Sequence, residues 1–172
     1  MSSVAEKIIE WAKSNDLSLD EEEIMDARLE DQMAFDNALV NAFSETAFFA
    51  FSEQGCPPKE FLPGVLSGYL EQITEREFDL NSVVSEDDWK TARAIISCDG
   101  EDIELKIDYV NDSDWVPPEL AGQMRDFSKN YCEKLLYTLY GEDPFVVLYL
   151  SENSISVLDS IRNTLPAHQY NR

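Results

Sequence analysis

Few residues in this chain of 172 could carry out chemistry on a substrate. Catalysis requires a group that titrates near neutral pH or an activated nucleophile. The single histidine is His168, in a segment from about residue 162 that we expect to fray. The three cysteines, Cys56, Cys98 and Cys132, are widely spaced and form no C-x-x-C motif, so we expect buried free thiols. The sequence therefore predicts that the protein is not an enzyme.

Cofactor and metal motifs are missing as well. The Gly-x-Gly-x-x-Gly and P-loop patterns, which bind dinucleotides and phosphates, do not occur. Residues 112–114 begin like a calcium loop, but Trp115 and two prolines follow where ligands and the turn glycine belong. Carboxylates could act in pairs, yet they are so abundant here that such a pair is uninformative. We expect no cofactor and no bound metal.

Carboxylates dominate the composition, with 35 Asp and Glu against 13 Lys and Arg and a net charge of −22. Residues 1–114 hold 28 acids and eight bases, and the remainder holds seven acids and five bases. Such a charge opposes compaction, but it attracts basic partners. Because 44% of the residues are hydrophobic and 11% aromatic, a core can still form. We therefore expect this chain to bind a basic protein partner.

A first acidic cluster lies between residues 16 and 31, where Arg28 is the only base. Acids in the first turn of a helix stabilise it by about 0.3–1 kcal/mol, which accounts for residues 20–23 but not for the continuation. The cluster is either a solvated helix face or a surface that binds a partner. The binding residues predicted here are Glu22, Glu23, Glu30 and Asp31.

A second acidic cluster spans residues 99–114, with Lys106 as the only base. Two tryptophans accompany it, and protein interfaces concentrate their binding energy in aromatic residues ringed by polar ones. The competing interpretation is a solvated sheet face with both tryptophans in the core. The binding residues predicted here are Trp89, Asp99, Glu101, Asp102, Glu104, Asp108, Asp112, Asp114 and Trp115.

The most definite element is a hairpin. Residues 89–98 and 101–110 alternate in polarity and flank Asp99-Gly100, a dipeptide typical of a two-residue type I′ turn. Pairing outward from the turn makes one face apolar and the other polar, which a shifted register would scramble. The pairs on the apolar face are Cys98 with Glu101, Ile96 with Ile103, Ala94 with Leu105, and Ala92 with Ile107.

The residues before the hairpin are predicted to be mainly helical. Capping boxes that begin at Ser3 and Ser18 open two helices; the first ends near Asn15, and the second runs, or breaks and resumes, to Glu53. A third helix is expected over residues 58–76. The segment that follows it, residues 78–84, is either a loop or an edge strand.

After the hairpin, an apolar stripe at helical spacing predicts one helix that ends at Gly141. Residues 145–150 are predicted to be a strand, and residues 155–158 a return strand. The stripe consists of Leu120, Met124, Phe127, Tyr131, Leu135 and Leu139.

This order of elements is typical of an α+β fold, with N-terminal helices packed with an antiparallel sheet of about four strands from two hairpins and a connecting helix. One domain, 1–172, is expected. It comprises a mainly helical layer (1–80), a hairpin-helix-hairpin part (81–161) and a frayed tail (162–172). Neither a signal peptide nor an apolar run of ~20 residues is present, so we expect a cytoplasmic protein.

In size, acidity, α+β make-up and lack of catalytic groups, the chain resembles bacterial immunity proteins of contact-dependent or polymorphic toxin systems. The resemblance implies a cytoplasmic inhibitor that binds a basic toxin domain, typically a nuclease, and occludes its active site. The acidic clusters would then stand in for substrate phosphates. No direct contact with nucleic acid or a membrane is implied.

Two other classes fit parts of this profile. Type III secretion chaperones are also small, acidic and cytosolic, although they are usually shorter and begin their sheet soon after one helix. An inhibitor that mimics nucleic acid would need carboxylates spaced like phosphates, and the near-neutral last third of the chain disfavours a mimic over its full length.

Overall fold

A computed structural model describes residues 2–43, 47–49, 58–107, 119–141 and 144–169. Within these residues the structure has six helices and six strands, and the predicted α+β class is confirmed. None of the described helices is long and apolar enough to cross a membrane. The helices are α1 (Val4–Ser14), α2 (Glu21–Asp26), α3 (Gln32–Ala42), α4 (Pro58–Glu71), α5 (Leu120–Tyr131) and α6 (Glu152–Arg162). The strands are β1 (Ala47–Phe49), β2 (Asp79–Val84), β3 (Ala92–Cys98), β4 (Glu101–Ile107), β5 (Leu135–Tyr140) and β6 (Pro144–Leu150).

The strands form two three-stranded sheets, with the orders β2-β3-β4 and β1-β6-β5. In the first sheet, β3 pairs antiparallel with both neighbours. The sequence predicts about four strands; β2 adds an edge strand where a loop was the alternative, and β1 forms where the sequence predicts helix. The prediction of a strand at residues 145–150 is confirmed by β6.

The hairpin of β3 and β4 has the predicted register, from Cys98 opposite Glu101 to Ala92 opposite Ile107. Asp99 and Gly100 have φ angles of 53° and 81°, and a type I′ turn requires positive values at both positions. The apolar face is buried along β3. Strand β3 begins at Ala92 rather than at residue 89, and the pairs predicted for residues 108 and 110 lie outside the described residues.

Capping side chains define the first three helices. Ser3 caps α1 as predicted, whereas the cap predicted at Ser18 is wrong, because Asp20 caps α2 by accepting a hydrogen bond from the Glu23 N–H at 3.2 Å. Asp31 caps α3 in the same way. The second predicted helix therefore breaks and resumes, and it ends at Ala42 instead of continuing to residue 53.

The helix predicted to reach Gly141 ends ten residues earlier, and residues 135–140 form β5 instead. The buried hydroxyl of Ser128 donates to the Arg125 carbonyl at 2.7 Å and accepts from the Leu136 N–H at 2.9 Å. It thus ties the last turn of α5 to the first residues of β5. The apolar spacing that continues past Tyr131 is shared by a helix and a strand, which is why the stripe is misleading.

The return strand predicted at residues 155–158 is also wrong, because these residues belong to α6. Ser151 caps this helix by accepting a hydrogen bond from the Ser154 N–H at 3.1 Å. Ile155, Leu158 and Ile161 are buried at a spacing of three residues, which puts them on one face of a helix.

The chain divides into two compact units. Unit 1 comprises Met1–Phe48, Thr138–Val146 and Leu150–Arg172, and unit 2 comprises Phe49–Tyr137 and Val147–Tyr149. In unit 1, α1 contacts α2 and α6, and α2 contacts α3. In unit 2, α4 contacts β2 and α5 contacts β4, so two helices accompany the sheet β2-β3-β4.

Candidate protein-interaction surface

The sheet β2-β3-β4 in unit 2 has two unlike faces. Along β3, every second residue from Ala92 to Cys98 is buried, and the residues between them are half-buried. Because directly paired residues in antiparallel strands point to the same side of a sheet, the register identifies the other members of the more exposed face. We call this side the outer face; it comprises Asp79, Ser82, Val84, Arg93, Ile95, Ser97, Asp102, Glu104 and Lys106.

An apolar side chain lies in the middle of the outer face. Ile95 is half-buried in the central strand between Ser82 and Glu104, and Val84, the last residue of the edge strand β2, is 41% exposed. Asp79, Glu104 and a further carboxylate of β4 are exposed at other positions of this face. An apolar centre inside a charged rim is the arrangement that protein interfaces use.

The carboxylates of the outer face are held by neighbouring polar groups. Arg93 pairs with Glu86 at 2.6 Å and lies 4.0 Å from Glu104, and all three side chains are substantially exposed. Ser97 Oγ donates to Asp102 Oδ1 at 2.8 Å and accepts from an asparagine of β2. Exposed ion pairs of this kind are weak, so a partner's cation can replace Arg93 at little cost.

Trp89 lies in the tight loop between β2 and β3. Its main-chain N–H donates to Ser85 Oγ at 2.9 Å, and Asp88 and Trp89 both have positive φ angles, of 59° and 64°. Asp87 holds the loop by accepting from the N–H and hydroxyl of Thr91, which keep the pKa of this carboxyl below its ordinary value. Residues whose backbone is held at such sparsely populated angles are concentrated at functional sites. Trp89 is half-buried, so it is neither a core residue nor a fully exposed one.

The structure brings only part of the predicted second cluster together. Asp102 and Glu104 lie on the outer face, whereas Asp99 and Glu101 are exposed at the tight turn. Asp99 is also engaged elsewhere, because its carboxylate lies 3.1 Å from the Arg76 guanidinium and raises the pKa of that arginine. Four predicted members lie outside the described residues: Asp108, Asp112, Asp114 and Trp115.

The first acidic cluster has a structural explanation in unit 1. Glu22 and Glu23 are exposed in the first turn of α2, where they complement the helix dipole, and Glu30 is exposed before α3. Asp31 is the cap of α3, and its carboxylate also lies 2.7 Å from His168 Nδ1. The continuation of acids to residue 31 therefore supplies the cap of a second helix.

His168 does not lie in a frayed tail. The Gln32 N–H donates to the Pro166 carbonyl at 2.9 Å, and Gln32 Nε2 donates to the Leu165 carbonyl at 3.2 Å. Together with the contact between His168 and Asp31, these bonds hold residues 165–168 against the start of α3. Sequence reasoning missed this arrangement because nothing in the local pattern pairs the start of α3 with residues 165–168.

A cavity of about 330 Å³ adjoins this histidine in unit 1. Asp36 and Arg162 form a bidentate pair in its wall, with N–O distances of 2.8 and 2.9 Å. Desolvation raises the pKa of Tyr140, another lining residue, above its ordinary value. A carboxylate that fixes an imidazole could support general-base chemistry. The described lining residues include no Ser, Thr or Cys, so a general base at this cavity would have to act on water or on a group of the substrate.

The described residues contain no group of three or more His, Cys, Asp or Glu side chains that could hold a metal ion. Burial raises the pKa of the Cys98 thiol and raises that of Cys132 to about 11, which keeps both in the unreactive thiol form.

No known protein family matches this chain, and no curated protein or solved structure is significantly similar to it. The geometry of the outer face and the charge of the chain are therefore the observations from which a function can be inferred.

Proposed function

We propose that this protein is an acidic immunity protein of the bacterial cytoplasm, which binds a basic toxin domain through the outer face and blocks its active site. In the most specific form of the proposal, the partner is a nuclease. The active site of a nuclease must attract phosphates, and carboxylates such as Asp102 and Glu104 can occupy a site that attracts negative charge. The protein itself carries out no catalysis in this proposal.

The observation that supports this function best is the exposed sheet face, where Val84 and Ile95 lie among carboxylates. Apolar groups provide the stability of a complex, and the charged rim sets the association rate and the choice of partner. The net charge of −22 also favours binding of a basic partner, because it attracts a basic domain towards the chain over a distance. A nucleic-acid mimic shares the charge but does not require an apolar centre, whereas a secretion chaperone is distinguished by the identity of its partner.

The identity of the partner tests the proposal. The tagged chain is used to capture proteins from its native host, and the captured proteins are identified by mass spectrometry. We expect a large secreted protein with a basic domain, and we expect that domain to be toxic when produced alone and harmless when the chain is produced with it. Capture of a secretion effector that is not toxic would instead support the chaperone and contradict the immunity function.

Two matched double variants test the surface in the same protection assay. Asp102→Asn with Glu104→Gln removes two charges from the outer face, and Glu71→Gln with Asp126→Asn removes two exposed charges from α4 and α5. We expect protection to be lost or strongly reduced only in the first variant. Equal protection by both variants would exclude the outer face as the binding surface. If neutralising Glu22, Glu23 and Glu30 abolished protection instead, the first acidic cluster would be the site.

A further inference from the structure

Strand β4 is the last strand of its sheet among the described residues, and its register shows which main-chain groups point away from the sheet. A two-residue turn makes Cys98 and Glu101 a pair that exchanges both main-chain hydrogen bonds, so alternate residues of β4 bond to β3. The main-chain groups of residues 102, 104 and 106 must then point outward. The contact of Gln123 Nε2 with the Lys106 carbonyl, at 3.3 Å, agrees with this assignment.

The same three residues carry the charged side chains of the outer face. Asp102 and Glu104 therefore present main-chain hydrogen-bonding groups to one side, whereas the Lys106 carbonyl already accepts from Gln123. The side chains of these three residues expose two carboxylates and an ammonium group to solvent. On the opposite face of the strand, Ile103 and Leu105 are half-buried and leave apolar surface beside the edge. Strand β2, at the other edge of the sheet, is irregular between Leu80 and Ser82, and such an irregularity disfavours pairing.

The charges select the kind of strand that could pair here. If a second copy of this chain paired antiparallel through its own β4 with Glu104 opposite Glu104, these two carboxylates would repel, although Asp102 would face Lys106. The net charge of −22 on each copy would oppose the association in any register. An extended segment with Lys or Arg at every second position would place cations beside these carboxylates. Its intervening residues would then cover Ile103 and Leu105. The edge thus favours a basic partner over self-association.

We propose that β4 binds an extended basic segment of the partner as a fourth strand of the sheet, a mode of recognition known as β-strand addition. This inference rests on the proposed function, since it assumes that the partner is basic and binds at the outer face. It adds that main-chain hydrogen bonds to residues 102 and 104 supply part of the affinity. It also adds that the partner segment alternates between basic side chains beside the carboxylates and side chains that cover Ile103 and Leu105.

The test uses the full-length protein and a nine-residue peptide of alternating lysine and threonine, with binding followed by NMR titration. Glu104→Pro and Glu104→Ala remove the same charge, but only the proline also removes the outward N–H, and proline is tolerated at strand edges. We expect Glu104→Pro to bind the peptide at least tenfold more weakly than Glu104→Ala. Equal affinities of two folded variants would overturn the inference.

A second comparison needs no variant of β4 and applies even if Glu104→Pro does not fold. A peptide of the same sequence with every main-chain nitrogen methylated keeps the charge and the side chains, but it has no N–H group to donate to a strand ladder. We expect the wild-type protein to bind the unmodified lysine–threonine peptide at least tenfold more tightly than the methylated peptide. Equal affinity for both peptides, or no binding of either, would overturn strand addition.

The same titration separates this inference from the proposed function. If both peptides bind equally well and both lose affinity in the Asp102→Asn, Glu104→Gln variant, the acidic surface stands and strand addition fails. If the lysine–threonine peptide binds more tightly and that variant binds it with unchanged affinity, strand addition stands and the acidic surface fails.

Discussion

At the scale of single residues, the turn between β3 and β4 depends on one glycine. Gly100 has a φ angle of 81°, and no atom lies within 4 Å of the place where a Cβ would stand. A substitution there is therefore opposed by the backbone conformation rather than by a clash. Because the turn fixes the register, it also fixes which residues reach the outer face and the edge of β4.

We expect Gly100→Val to lower the free energy of unfolding by about 1–2 kcal/mol, because a β-branched residue is strained at positive φ. Asparagine tolerates this conformation better, so Gly100→Asn should lower the free energy of unfolding clearly less than Gly100→Val. Urea unfolding of both variants and the wild type measures the difference. Equal stability of the valine and asparagine variants would contradict the type I′ turn.

Asp31 gives unit 1 a defined response to acid. Hydrogen bonds from the Ala34 N–H and from His168 hold the pKa of this carboxyl below its ordinary value. A lowered pKa in the folded state stabilises the protein above the ordinary carboxyl pKa, and this contribution is lost as the pH falls through the lowered value. The loss therefore begins below about pH 4.

Asp31→Asn keeps a side chain that can cap α3 but removes the titrating group. We expect the unfolding free energy of this variant to fall less steeply than that of the wild type as the pH drops below about 4. Urea unfolding at a series of pH values measures the two slopes. If the two curves run parallel, Asp31 does not contribute to the acid response.

At the scale of elements, α6 begins at a capping serine, and its first turn is also tied to α1. Ser151 accepts from the Ser154 N–H, and Trp11 Nε1 of α1 donates to the Ser154 carbonyl at 2.9 Å. Replacing Ser151 by Ala should cost about 0.5–2 kcal/mol of stability, as for other capping residues. Ser156→Ala, at an exposed position of the same helix, is the control and should change stability much less. Thermal or urea unfolding distinguishes the two, and equal losses would contradict the cap.

Local chemistry that repeats at a fixed spacing could be predicted from the sequence. The hairpin of β3 and β4 is defined by alternation on both sides of Asp99-Gly100, and α1 is defined by the cap at Ser3, so both predictions are confirmed. The boundary between α5 and β5 depends on the buried hydroxyl of Ser128, a tertiary contact with no local signal. The same reason explains why the position of His168 could not be foreseen.

The candidate site was predictable only in part. Asp102 and Glu104 follow from the alternation of β4, and the sequence places them on a polar face. Ile95 lies on that face by the same alternation, but Val84 belongs to a strand that is paired with β3 through an irregular register that no sequence pattern reveals. Alternation places Arg93 on this face, but its contact with Glu86 depends on the loop between the two strands.

At the scale of the whole molecule, charge and surface shape have separate roles. The net charge of −22 acts over a distance and raises the rate at which a basic domain meets the chain. The apolar centre at Ile95 acts only on contact and sets how long the complex lasts. These roles can be measured separately, because salt screens the first and leaves the second largely unchanged.

The association kinetics of the purified chain with its captured basic partner test the outer face most directly. Neutralising Asp102 and Glu104 together should slow association at low salt by roughly tenfold and flatten its salt dependence. Ile95→Ala should leave association nearly unchanged and speed dissociation. The double variant with changes at Glu71 and Asp126 should resemble the wild type in both rates. If the Asp102 and Glu104 variant instead associates as fast as that control at every salt concentration, the partner does not bind at the outer face.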